Sequence, residues 1–278
     1  MISALIVSFN TRDQLRETLG RLAALPDPPD EVIVADNGSR DGTLAMVASD
    51  FPAVRALDFG ANLGFGAANN RAAAVARGDR LLLLNSDAWP LPGTLSRLSA
   101  ALSADPRRGL VGPRLTYADG RPQFHWVPAT GVFGEAAQKL RNRFEGSDWV
   151  HRLRWPGGWH TAACALVRRE AFDAVRGFDE RFFLYFEDVD LCVRLRRAGW
   201  RLSSVDEAVA VHVKGGSRTG LTEDLEYRRS QLLFYRLHRS WWENLLLRAR
   251  LRHRARQLDP ALRDGLRRLL EMRDHEPR

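Results

Sequence analysis

Lysine is almost absent from this chain. Lys139 and Lys214 are the only two, so arginine supplies nearly all of the positive charge behind a formal net charge of +8. That excess suits anionic partners such as nucleotide phosphates, nucleic acid or an anionic membrane surface, or it reflects an arginine-rich composition alone. Cysteine is scarce as well. Cys164 and Cys192 lie far apart and make no C-x-x-C pair, which argues against a zinc site or a disulfide framework and for two free buried thiols. No run approaches the ~20 apolar residues of a spanning helix. The opening MISALIVSFN has a short apolar run with no basic segment before it, unlike a secretory leader, so a cytoplasmic location is expected, with peripheral contact at the inner face of the membrane left open. Two nucleotide motifs are missing too. The place for G-x-G-x-x-G after the first strand reads VSFNTRDQ, and no Gly-Lys-Ser/Thr tripeptide exists.

What remains is an ordinary globular composition, 45% hydrophobic and 27% charged over 278 residues, enough for one large α/β domain or two small ones. SALIVSF (3–9), EVIVA (31–35), residues 54–58 and LLLL (81–84) read as strands, the first and last of them buried. Between them lie a helical stripe at Leu15, Leu19, Leu22 and Leu25, a second helix from Leu44 and an alanine-rich helix ending near Ala76. This alternation predicts a mostly parallel sheet with helices on both faces. Pro90 and Pro92 are expected to end the fourth strand, ahead of a helix to about Ala104 with Leu95, Leu98 and Leu102 on one face. Strands are expected at 109–117, 162–167 and 209–213, with helices at 170–175 and from about Asp188. Residues 120–158 carry little pattern. From Thr222 onward the chain reads as helical, basic and rich in Leu, Trp and Arg.

Ligands of open parallel sheets bind beyond the carboxyl ends of the strands. Three strands here finish in polar groups: Asn10, Asp36, and Asn85-Ser86-Asp87. Each alone is explained by capping of a turn or helix; their convergence points to a site. Gly60, Gly64 and Gly66 either let backbone approach a ligand or form a loose turn. Glu187, Asp188 and Asp190 open a helix, where carboxylates complement the dipole. The apolar FFLYF before them also fits a dry cleft.

VSFN, DNGSRDGT, NLGFGAANN, LNSDAWP and GFDERFFLYFEDVDLCVRLRRAGW, in this order over roughly residues 1–218, resemble family 2 glycosyltransferases, with a rhamnosyltransferase-like flavour. The resemblance implies a GT-A fold, a dTDP- or UDP-linked sugar donor, Mg²⁺ or Mn²⁺, and inversion at the anomeric carbon. It implies a glycosyltransferase domain over 1–220, donor-binding to about 117 and acceptor-side beyond, followed by a basic helical extension over 221–278. Ser8, Asn10, Asp36, Asn62, Gly64, Asn69 and Asn85 would contact the nucleotide-sugar. The family's D-x-D motif reads Asn85-Ser86-Asp87 here, so its first carboxylate is missing and Asp87 remains for the metal. His212, 24 residues after Asp188, falls where related enzymes place a metal-binding histidine. Asp188 would be the general base, Glu187 and Trp159 would face the acceptor, and Asp190 would be structural. The acceptor would be a glycan or a polyprenyl-linked glycan of bacterial surface polysaccharide, and nucleic acid is not expected. The arginine-rich tail either packs on the domain or lies on anionic lipid. The rival reading is an inactive sugar-nucleotide binder or scaffold, for which the missing aspartate leaves room; a nucleotidyltransferase would want a lysine-bearing loop after strand one, which is absent.

Overall fold

The structure, a computed structural model, describes residues 1–144, 148–151, 153, 155, 157–213, 221–256 and 260–271. Strand and helix alternate through the first third: β1 (Ile2–Ser8), α1 (Arg12–Ala23), β2 (Glu31–Asp36), α2 (Thr43–Asp50), β3 (Arg55–Asp58), α3 (Phe65–Val75) and β4 (Arg80–Asn85). Then follow β5 (Ala88–Pro90), α4 (Thr94–Ser103), β6 (Arg108–Thr116), β7 (Pro122–Gln123), β8 (Trp126–Val127), α5 (Val132–Asn142), α6 (Asp148–His151), β9 (Trp159–His160), β10 (Cys164–Arg168), α7 (Arg169–Ala174), α8 (Glu187–Arg197) and β11 (Arg201–His212). Three helices close the chain: α9 (Leu221–His238), α10 (Trp241–Ala255) and α11 (Pro260–Glu271).

The main sheet has the order β3-β2-β1-β4-β10-β6-β11-β5, with β7 beside β6. Its first four strands are parallel, as the alternation predicts. β10 then runs antiparallel between β4 and β6, which makes the sheet mixed. The four leucines of β4 are fully buried because a strand's side chains alternate between two covered faces. Leu82 and Leu84 meet Leu15 and Leu19 of α1 and Leu95 and Leu98 of α4. Leu81 and Leu83 meet the alanines of α3, Phe172 of α7 and Leu195 of α8. Truncating one such leucine to alanine costs about 2–5 kcal/mol.

Three expectations need correction. Pro90 does not end the sheet: Ala88–Pro90 is a separate strand at its edge, where a missing N–H is tolerated. The strand expected at 209–213 is β11, twelve residues long, with a register shift between Val205 and Val209 that hides its alternation. The pattern-poor stretch holds β7, β8 and two helices, and β8 pairs with β9 just beyond it. The boundary expected near residue 220 falls in 214–220, outside the described residues. Cys164 and Cys192 are free and buried, as expected, and burial pushes both thiols up to about 12.

The C-terminal helices pack against the rest. Phe234 and Tyr235 of α9, Leu247 and Leu251 of α10 and Leu266 of α11 share a core with Phe182, Phe186 and Val189. Among the described residues no helix is long and apolar enough to cross a membrane.

Candidate functional site

Strand register gathers the polar ends. Ser8 lies opposite Asp36, Asp36 opposite Asp58, and Val7 opposite Asn85, so one rim of the parallel half carries all of them. Asp36 is fully buried. Its Oδ1 accepts the backbone N–H groups of Gly38 and Ser39, at 3.0 and 2.8 Å, and its Oδ2 has no partner. Ser8, Thr11 and Ser86 form a chain of hydroxyls with 3.0 Å links, which ties the end of β1 to the loop after β4. Asn10 is exposed in a left-handed conformation, with its Oδ1 accepting the Arg40 N–H.

The glycine-rich loop closes the same rim. Asn62 Oδ1 accepts the Gly64 N–H at 3.0 Å, and Asn37 Nδ2 donates to the Gly64 carbonyl. Gly64 is required: its φ is +88°, and a Cβ there would lie 2.4 Å from the Phe183 carbonyl oxygen. That same oxygen accepts the Phe65 N–H, so the loop is stitched to FFLYF. Asn69 is fully buried, donating to the Phe65 carbonyl, and its own oxygen has no partner.

Asp87 and His212 come together because β5 pairs with the end of β11, Ala88 opposite His212. Asp87 Oδ1 lies 3.5 Å from His212 Nε2, and both side chains stay partly open to solvent. Gln123 fixes the ring. Its Nε2 donates to the His212 carbonyl at 2.9 Å, so its Oε1, 2.8 Å from Nδ1, must accept a proton held there. With the proton on Nδ1, the neutral ring turns the lone pair of Nε2 toward Asp87, the form in which imidazole and carboxylate can share a cation. Asn85 Nδ2 is 3.4 Å from the same Nε2. Carboxylate and imidazole at this spacing fit neighbouring ligands of one divalent ion, whose cis donors sit about 3 Å apart. Among the described residues no third His, Cys, Asp or Glu joins them.

Asp188 stands across a short segment from this pair. Ala163 accepts the Asn85 N–H at 3.0 Å through its carbonyl, while the Ala162 N–H donates to Asp188 Oδ2 at 3.4 Å. One segment thus holds the end of β4 on one side and Asp188 on the other. Asp188 Oδ1 accepts the Val189 N–H, and the Thr161 hydroxyl adds a further bond. Burial outweighs these bonds and pushes the Asp188 carboxyl up to about 6. Glu187 goes further, to about 8, through burial and then the charge of Asp188, and its Oε2 has no partner. Asp190 is anchored to Arg194 and to His238 Nε2 at 2.7 Å, which ties α8 to α9. Trp159 is half-buried on β9, two residues before Thr161, with its indole N–H unpartnered.

The turn into α8 is strained. Tyr185 and Phe186 both have positive φ, 68° and 66°, in a region that costs bulky residues about 1–3 kcal/mol each. Packing from α9 holds them there: Phe186 lies 5.2 Å from Tyr227 and 5.5 Å from Phe234 between ring centroids, and Ser230 bonds the Leu184 carbonyl. Gln123, Thr161 and Asn37 were not singled out from the sequence. Asn37 had a signal in the Asn-Gly turn after Asp36; the other two lie in or beside pattern-poor segments.

A parallel half-sheet with polar strand ends, joined to an antiparallel strand beside the acid pair Glu187 and Asp188, defines a GT-A glycosyltransferase. The chain belongs to glycosyl transferase family 2, whose family model matches residues 3–176. It is similar to N-acetylglucosaminyl-diphospho-decaprenol L-rhamnosyltransferase of Mycobacterium tuberculosis, 33% identical over 266 residues, covering 87% of this chain and 86% of that protein. The Escherichia coli rhamnosyltransferase WbbL is 29% identical over 232 residues, covering 76% and 83%. Among solved structures, the fold is similar to a Pyrobaculum calidifontis mannosyltransferase in complex with GDP-Man and Mn²⁺, at TM-score 0.58 and 18% identity over 96% of this chain and 68% of that one. It is similar also to glucosyl-3-phosphoglycerate synthase of Mycobacterium tuberculosis with Mn²⁺ and UDP, at TM-score 0.57 and 20% identity over 86% and 81%.

Proposed function

We propose that this enzyme transfers L-rhamnose, with inversion, from a dTDP- or UDP-linked donor to N-acetylglucosamine on a polyprenyl diphosphate, in bacterial surface polysaccharide synthesis. The observation that carries the reading is the segment 161–163, which bonds Asn85 on one side and Asp188 on the other. The acceptor and sugar follow the mycobacterial relative named above, which matches nearly its whole length.

The donor half, about 1–117, would hold the nucleotide. Asp36 Oδ2 lacks a partner in a buried rim, a position suited to accept from a nucleobase N–H or a ribose hydroxyl. Ser8, Asn10, Asn62, Gly64, Asn69 and Asn85 shape that rim. Asp87 and His212 would hold Mg²⁺ or Mn²⁺, whose charge stabilises the departing diphosphate; diphosphate oxygens and water would complete its shell. Asp188 takes the proton from the acceptor hydroxyl as that oxygen attacks the anomeric carbon from the face opposite the leaving group. Inverting transfer needs this one base and no protein acid, because the leaving group is a diphosphate rather than an alcohol. Glu187 stays protonated beside it, which keeps a second negative charge from competing for the same proton. Trp159 would form an apolar wall of the acceptor side, in the half from about 118 to 220. An acceptor anchored in lipid brings the protein to the inner membrane face as a peripheral enzyme.

The test is direct. Purified protein with Mn²⁺ is given dTDP-rhamnose, UDP-sugars or GDP-mannose and a short-chain polyprenyl-diphospho-N-acetylglucosamine. Product forms from one nucleotide-rhamnose, and NMR of the new linkage reports the inverted anomer. Binding of the nucleotide-sugars with no transfer to any acceptor, and no slow hydrolysis, would make it a sugar-nucleotide binder. A retained anomeric configuration would remove the single-base mechanism.

A further inference from the structure

Helix α5 is built inside out. A helix on the surface of a water-soluble domain turns apolar residues inward and charges outward. Here Arg141 is almost wholly buried, donating to the Trp126 carbonyl at 2.9 Å with its guanidinium 3.5 Å from the centre of the Phe124 ring. Glu135 also points inward, accepting from Gln231 at 3.1 Å and from the Tyr235 hydroxyl. The outward face carries Phe133, 80% exposed, and Leu140, 61% exposed, seven residues apart on one stripe. Phe144 extends the stripe and lies 5.8 Å from Trp149 between ring centroids, both exposed.

The start of α10 continues this surface. The Val132 N–H reaches Glu243 Oε1 at 3.5 Å, so the first turns of α5 and α10 touch. Leu247, Leu251 and Ala255 of α10 face the core, but Trp241, 78% exposed, and Leu245 do not. Exposed arginines accompany the apolar area: Arg143 directly after α5, and Arg250 of α10, 3.8 Å from Glu135 Oε2. α5 and α10 have one acid each, Glu135 and Glu243, and both are spent on internal bonds.

We infer that the outward face of α5, with the first turn of α10, is the surface by which this protein sits on an anionic lipid bilayer. This rests on the lipid-linked acceptor proposed above and goes beyond it by naming the face. Aromatic and aliphatic side chains enter the headgroup boundary, and the accompanying arginines meet anionic headgroups. A second copy of the chain is disfavoured as occupant, because two-fold pairing of this face would bring the arginines together. The position is also apt: Arg141 binds α5 to β8, β8 pairs with β9, and β9 leads within two residues to the Thr161 and Ala162 groups that hold Asp188.

The experiment compares the full chain with its Phe133→Ser/Leu140→Ser variant, and co-sediments each with phosphatidylcholine vesicles with and without phosphatidylglycerol. The substituted residues are exposed, and a melting curve within a few degrees of the parent certifies the fold. The parent binds the anionic vesicles preferentially, and the variant loses at least about tenfold in partition. Brominated acyl chains quench tryptophan fluorescence in the parent and much less in the variant. Equal partition and equal quenching overturn the proposal. So does a parent dimer, measured by light scattering, that the variant breaks without change in vesicle binding. Both readouts are independent of sugar transfer, so failure here leaves the proposed reaction standing, and failure of the reaction leaves this result standing.

Discussion

The proposed base Asp188 must be ionised to take a proton, and burial has moved its carboxyl up to about 6. Transfer should therefore fall as pH drops through about 6, while donor binding measured by calorimetry holds nearly constant. Asp188→Asn should lower the transfer rate constant by about 10²–10⁴-fold at every pH, with donor affinity within a few-fold. Equal loss of donor binding would remove it as the base. Glu187 gives a stability prediction with a definite sign. Its carboxyl is raised from 4.5 to about 8, so the folded protein binds more protons than the unfolded chain between those values. Stability contributed by this proton is full below 4.5 and is lost as pH rises through about 8. Glu187→Gln needs no proton, so urea melts of the variant should lack this decline. Parallel pH dependence in parent and variant would place the titration elsewhere.

At the scale of elements, the meeting of β5 and β11 matters most. Beyond its register shift β11 pairs with β5 and lays His212 beside Asp87, while the two-residue β7 brings Gln123 to the ring. Gln123→Ala frees the imidazole to rotate and to change tautomer, and should weaken Mn²⁺ binding, read by the free-ion EPR signal, about 10–100-fold. Unchanged Mn²⁺ affinity would make Gln123 a packing residue only. This region also marks how far the sequence could be read. Three of the four parallel strands were legible as short runs of Leu, Ile, Val or Ala bounded by turn residues, and β3 (RALD) by its place in the alternation. Asp36 and Asn85 could be placed because strand ends share a rim. The distant pairing of Asp87 with His212 was reached through family resemblance. Gln123 had no signal, since a two-residue strand has no periodicity. Helix α5 was missed for a physical reason: Phe133 and Leu140 face outward while Glu135 and Arg141 face inward, so the usual pattern is inverted, and Gly134 interrupts it.

At the scale of the whole molecule, the last helices belong to the site's architecture. Phe234 is fully buried, and its ring braces Phe186 in the strained turn before Glu187 and Asp188. Phe234→Ala should cost about 3–5 kcal/mol in urea melts. At temperatures where the variant is still folded, its transfer rate should fall while the donor KM stays near the parent value, because the donor rim lies on other elements. Loss confined to stability, with parental transfer in the folded variant, would mean that the turn holds itself.

The left-handed pair at Tyr185 and Phe186 also sets an order of events during synthesis. The four parallel strands whose ends form the donor rim all precede residue 90, and Phe183, which anchors the glycine-rich loop, also leaves the ribosome before α9. The turn that aims Asp188 lacks its aromatic braces until Tyr227 and Phe234 are free of the exit tunnel. On the proposed reaction, a nascent chain would complete its donor strands before it could aim its base.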